Sequence, residues 1–184
     1  MGIFNFFNKG KSQSLPGEVV CESDSSDDIS DDEFVVSGLV FKEGNLGKAA
    51  KVGHKAKDAV RAGEYDLAWS LFSEQQRIYM KHAMEQSFSA ADTFTIDGSV
   101  SVDFANILRL EGKHRQALVH IIYWIVTSRF SYKTHDQKLG AYFRRCKFNN
   151  LNLCDIERFI EDSRGRPDFE AIQLMVANWG GVDP

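Results

Sequence analysis

The sequence predicts an all-α protein: antiparallel helical hairpins, extra helices toward the C-terminal end, and a disordered acidic segment ahead of the folded part. Two observations carry the prediction. Gly63-Glu-Tyr65-Asp-Leu-Ala68-Trp69 and Gly112-Lys-His114-Arg-Gln-Ala117-Leu118 share one spacing, and helical apolar patterns flank both. In each copy the glycine closes one helix in the left-handed conformation that side chains disfavour, and the alanine five residues on lets the next helix lie close. The three prolines stand at 16, 167 and 184, outside residues 45–165, so long helices run there without interruption. Hydrophobic residues make up 43% of the 184, which supports one core of about 140 residues once the first 33 are set aside as a disordered segment. Residues 34–184 then form a single helical domain.

Each element follows from local signals. Residues 1–11 are a short aromatic and basic start. Phe6 stands where an acylation signal wants Ser or Thr, so myristoylation is not expected, and membrane-surface contact is open. Residues 12–33 are rich in Ser and Asp and read as a solvated linker. Phe34 to Phe41 is β-prone and short, a strand-like arm. Asn45 is placed to cap a first helix that runs to about Ala62. A second, about Tyr65 to Gln86, carries Tyr65, Ala68, Trp69, Phe72, Tyr79 and Ala83 on one face, a stripe that belongs to the core. Residues 87–100 are mixed, with Ser89 able to cap a short turn and Asp97-Gly98 reading as a loop. A third helix spans about Ser101 to Glu111. The fourth, about Arg115 to Phe130, is apolar nearly all round and should be the central buried element, with His120 as a hydrogen-bonded core histidine. The fifth, about His135 to Cys146, turns His135, Leu139, Tyr142, Phe143 and Cys146 to one side. Asn152 with Asp155 starts a sixth through Ile156, Phe159 and Ile160. Pro167, Asp168 and Glu170 open a seventh, which stops after Trp179 at Gly180-Gly181.

Cys21, Cys146 and Cys154 are odd in number and lack a ligand spacing, so neither a disulfide framework nor a metal site is expected, and a cytoplasmic location fits. The longest apolar run, Ala117 to Val126, is about half a membrane span, and no secretory signal is recognised. Charge is segregated. Residues 18–33 hold eight acids and no base, whereas residues 129–147 hold six bases against Asp136 alone, so the two blocks attract.

The two glycine-to-alanine steps resemble the tetratricopeptide repeat, with Gly63, Tyr65, Ala68 and Phe72 in one copy and Gly112, His114, Ala117 and Ile121 in the other. His114 replaces the tyrosine. The glycines lie 49 residues apart, where the family repeats at about 34, so the array is a degenerate one of two hairpins. The resemblance implies that ligands lie against the first helix of each pair, on residues a turn or two before the glycine. Here those residues are Lys57, Arg61, Asn106 and Arg109. Cationic and amide side chains suit an acidic peptide or a C-terminal carboxylate, through charge-assisted hydrogen bonds.

The function expected is therefore a non-enzymatic adaptor that grips a partner protein or peptide segment in a helical groove, without cofactor. The alternative is nucleic-acid binding through Lys133, Lys138, Arg144, Arg145 and Lys147, where Tyr142, Phe143 and Phe148 interleave with the bases. Catalysis is disfavoured. His135 and Cys146 share a helical face, but eleven residues at about 1.5 Å rise separate them by roughly 16 Å.

Overall fold

The computed structural model describes the backbone of residues 33–36 and 39–42 and the whole of residues 44–179. The segment expected to be disordered, apart from Glu33, the aromatic start and the Gly180-Gly181 stop lie outside the described residues. The strand-like arm is a two-stranded antiparallel hairpin, β1 (Glu33–Val36) and β2 (Leu39–Lys42), with Phe34 opposite Phe41. The body that follows is all-α.

The first hairpin pairs α1 (Asn45–Ala62) with α2 (Tyr65–Glu85). Gly44, not Asn45, is the cap residue of α1, because the Asn45 amide is engaged elsewhere. It donates to the Glu85 carboxylate at 2.5 Å, tying the start of α1 to the end of α2. The second hairpin pairs α4 (Ser101–Leu110) with α5 (His114–Thr127). The two turns have one geometry. Gly63 and Gly112 adopt φ of +80° and +78°; Glu64 N–H donates to the Ala59 carbonyl at 2.9 Å, and Lys113 N–H to that of Leu108 at 2.8 Å. These six-to-one bonds satisfy the carbonyls a helix end leaves open. Ala68 and Ala117 are both fully buried, so the small side chain sits at the point of closest helix approach.

Between the hairpins lies α3 (Ala90–Ser99), so the described residues form eight helices rather than seven. Ser89 caps it by accepting from Asp92 N–H, but Asp97-Gly98 is helical, not a loop. Tertiary contacts override the turn propensity of that pair. The Asp97 carboxylate accepts from Gln76 Nε2 at 2.8 Å and from the Tyr123 hydroxyl at 2.5 Å, joining α2, α3 and α5.

Two apolar clusters divide the body. One, with Ala56, Ala59, Ala68, Phe72, Phe104 and Ile107, fills the first hairpin and its contact with α4. The larger surrounds α5, which buries nine of its fourteen residues, Leu118, Ile121 and Ile122 completely. Each such aliphatic side chain contributes about 1.5–3 kcal/mol by leaving water, which makes α5 the axis of the fold. It stops at Thr127 and not at Phe130, because the Thr127 and Ser128 hydroxyls bond back to carbonyls of the last turn and Phe130 is left exposed. Of the α2 stripe, Ala68, Phe72 and Ala83 are buried, whereas Trp69 is 37% exposed.

Three helices complete the body: α6 (Lys133–Cys146), α7 (Leu153–Ser163) and α8 (Phe169–Trp179). His135, Leu139, Tyr142 and Cys146 bury as their spacing requires, and Phe143 packs partly against the cluster. The reciprocal Asn152–Asp155 cap opens α7. Pro167 lies just before α8, whose first turn is capped by Asp168 accepting from Ala171 N–H.

Candidate functional site

α4 presents Asp103, Asn106 and Arg109 on one side, at three-residue spacing. Asp103 is half-buried, and burial raises its carboxyl pKa; the Lys57 ammonium of α1 and the Lys138 ammonium of α6 oppose that rise. Arg109 Nη2 donates to Asn106 Oδ1 at 2.8 Å. Arg109 also faces the Tyr142 hydroxyl of α6, which burial makes harder to ionise and which Arg109, by charge and hydrogen bond, and Arg145 make easier. The Arg145 guanidinium stands 5.8 Å from the centre of the Tyr142 ring. One polar strip therefore runs from α1 across α4 to α6.

Its composition sets its chemistry. Lys57 and Lys138 act on the Asp103 carboxylate and Arg109 and Arg145 on the Tyr142 ring beside it, so the strip holds four cations against one carboxylate, an excess of about three positive charges, next to the Asn106 amide. Arg and amide groups in this arrangement bind carboxylates and peptide backbone.

Three of the four groove residues expected from sequence, Lys57, Asn106 and Arg109, meet here, and so do Lys138 and Arg145 from the basic helix. Arg61 does not. It is 77% exposed and pairs with Asp58 at 2.5 Å on its own helix. Lys133 and Arg144 are exposed on α6, and Lys147 is its left-handed C-cap residue, φ +51°. Asp103 is the residue sequence reasoning missed, and Tyr142, read there as a core and base-stacking ring, turns its hydroxyl to Arg109. For Asp103 a signal existed, since it precedes Asn106 by the same three-residue step that separates Asn106 from Arg109.

The rings of the basic helix are not free to stack on bases. Tyr142 is buried, and Phe143 and Phe148 pack against the α5 cluster and each other at 5.8 Å.

The remaining reactive groups are held in neutral form. Cys146 donates its thiol to the His114 and Tyr142 carbonyls, and burial pushes its pKa up to about 11. Burial lowers His120 to about 4 and, aided by Arg164 and opposed by Asp136, lowers His135 as well. His120 is not the satisfied histidine that sequence suggested, because its Nδ1 is buried without a partner. A thiol-directed reagent at neutral pH is expected to modify exposed Cys154 and spare Cys146, since thiolate and access are both required. Peptide mapping by mass spectrometry checks this; equal labelling of the two would contradict it.

Among the described residues no cluster of three or more His, Cys, Asp or Glu is placed to hold a metal, and no helix is long and apolar enough to cross a membrane. No family model, curated protein or solved structure matches the chain.

Proposed function

We propose that the chain is a tetratricopeptide-like, non-enzymatic adaptor that binds an acidic peptide segment or a C-terminal carboxylate along the α1–α4–α6 strip. The observation that supports this reading is the approach of Lys57 of α1 and Lys138 of α6 to half-buried Asp103 on α4, with Arg109 bonded to Asn106 on the same side of α4. Isolated surface cations contribute little, about 0–1 kcal/mol each. Cations fixed on packed helices lose less freedom on binding, and each charge-assisted hydrogen bond to a carboxylate is worth about 1.5–3 kcal/mol. Two or three such bonds sum to about 3–9 kcal/mol before ordering costs, which places the affinity weaker than micromolar and suits a reversible partner.

The test uses the full chain and a fluorescent hexaglutamate peptide with a free C-terminal carboxylate. The paired substitution Lys57→Glu, Lys138→Glu is expected to weaken binding at low salt by more than tenfold, while Arg61→Glu leaves it within about twofold. Unchanged affinity in the paired variant would remove the strip as the site. Displacement of the peptide by a single-stranded oligonucleotide at equal charge would replace the peptide reading with a nucleic-acid one.

A further inference from the structure

The chain carries an acidic peptide of its own. Residues 18–33 hold eight carboxylates and no base, the composition for which the α1–α4–α6 strip is suited. Reach is set by the β-hairpin. Its register places Glu33, at the start of β1, opposite Lys42 at the end of β2, so the two lie about 5 Å apart across the strand pair. The hairpin thereby returns the acidic block to the foot of α1, since Lys42 is three residues from Asn45. From Asn45, Lys57 stands twelve residues up the helix, about 18 Å at a rise of about 1.5 Å each. Fifteen residues lead back from Glu33 to Glu18 and extend to about 50 Å, enough to pass Lys57 and reach Asn106 and Lys138.

Charge favours the same route. Between Asn45 and Lys57, α1 carries Lys48, Lys51, Lys55 and Lys57 and no acid. Beyond them the strip holds its excess of about three positive charges, with Lys57 and Lys138 beside Asp103. Tethering then decides the competition. A ligand on a short tether acts at an effective concentration in the millimolar range, whereas a free acidic peptide binds the strip more weakly than micromolar. At equal intrinsic affinity, the tethered carboxylates hold the strip against any free peptide well below millimolar.

We propose that residues 18–32 occupy the α1–α4–α6 strip in the partner-free protein, as an intramolecular mimic of the acidic partner. Resting on the reading of the strip as the peptide site, this contact adds regulation to it: a partner binds by displacing the chain's own carboxylates, and the charge of this segment sets the threshold.

The experiment uses the full chain and two readouts. In the first, Asp24→Asn, Asp27→Asn, Asp28→Asn, Asp31→Asn and Asp32→Asn are combined, and the fluorescent hexaglutamate peptide is titrated at low salt. The neutralised variant is expected to bind about tenfold more tightly than the parent, and the difference should shrink as salt is added. In the second, a nitroxide on Cys21, in a Cys154→Ser background, broadens backbone amide signals of the ¹⁵N-labelled protein wherever the segment docks. Broadening is expected at Lys57, Asn106 and Lys138, and Lys57→Glu, Lys138→Glu should remove it at Asn106. Unbroadened signals at these three positions, or broadening confined to Lys51 and Lys55, which the helix turns away from Lys57, would overturn the proposal. The neutralised variant separates the two readings. If Lys57→Glu, Lys138→Glu weakens its peptide binding although neutralisation changed nothing, the strip stands and self-occupation falls. If the pair has no effect there, the strip is lost and this proposal with it.

Discussion

Gly98→Ala is expected to destabilise the protein by about 2 kcal/mol, although alanine is the better helix former. A Cβ added at Gly98 would stand 1.9 Å from Thr127 Oγ1, 2.8 Å from its Cβ and 3.3 Å from its Cγ2. Thr127 cannot swing aside. It is buried and β-branched, and its hydroxyl donates to the Tyr123 and Trp124 carbonyls at 2.9 and 3.0 Å. The backbone there is also tied, since Thr95 donates to the Thr127 carbonyl at 3.1 Å. The gain in helix propensity is about 0.5–1 kcal/mol and overpacking a rigid contact costs about 1–3 kcal/mol or more, so the clash wins. Gly53→Ala is the control. Its Cβ would meet the terminal amide of Gln75 at 2.5 Å, the end of a flexible side chain held by one 3.2 Å bond to the Tyr79 hydroxyl, so the cost should stay below about 1 kcal/mol. Urea denaturation of both variants, and of Gly98→Ala in a Thr127→Ala background where the cost should shrink, makes the measurement. A Gly98→Ala protein as stable as its parent would show that α3 does not seat against α5 through this glycine.

The same residue marks where the sequence was legible and where it was not. The hairpin turns were readable because left-handed glycine and a small residue five positions on are local requirements, and Gly63, Ala68, Gly112 and Ala117 all meet them. The Asn152–Asp155 cap and the buried face of α6 were readable for the same reason. α3 was hidden. Its sequence, AADTFTIDGS, has no apolar stripe, and Asp-Gly signals a turn in isolation. What makes it helical is distant: Gln76 and Tyr123 hold Asp97, and Thr127 receives Gly98. The cationic strip was half legible. Lys57, Asn106 and Arg109 follow from their offset to the turn glycines, but their meeting with Lys138 and Arg145 depends on how α6 docks, which no spacing encodes.

The second large effect is on pH dependence. Stability is expected to fall by on the order of 3 kcal/mol between about pH 6.5 and about pH 4 through His120 alone. The sign follows from which state takes the proton. Above about pH 6.5 the imidazole is neutral in both states and contributes nothing. Below it the unfolded chain binds a proton that the folded chain resists until about pH 4, because Trp69, Phe104 and Phe169 surround the ring and offer no charge to offset burial. The penalty therefore grows as pH drops through that window and levels off below it. His135, lowered in the same direction, adds to it. Denaturation midpoints for the parent and His120→Leu at about pH 7.5 and about pH 4.5 should diverge from each other in acid, with the variant losing less. Parallel loss in both proteins would mean that the carboxylates alone set the acid limit.

Stacked hairpins grow when every pair leaves a bare flank for its successor, and α5 has none left. α4 and α6 sit on it from two directions, while Ile156 and Ile160 of α7 and Ile172 and Val176 of α8 belong to the cluster around it. A third hairpin could reach α5 only by evicting the C-terminal helices. Repeat arrays gain an extended concave ribbon by adding pairs; with both flanks of α5 occupied, any ligand of the proposed strip would be met over one short contact instead.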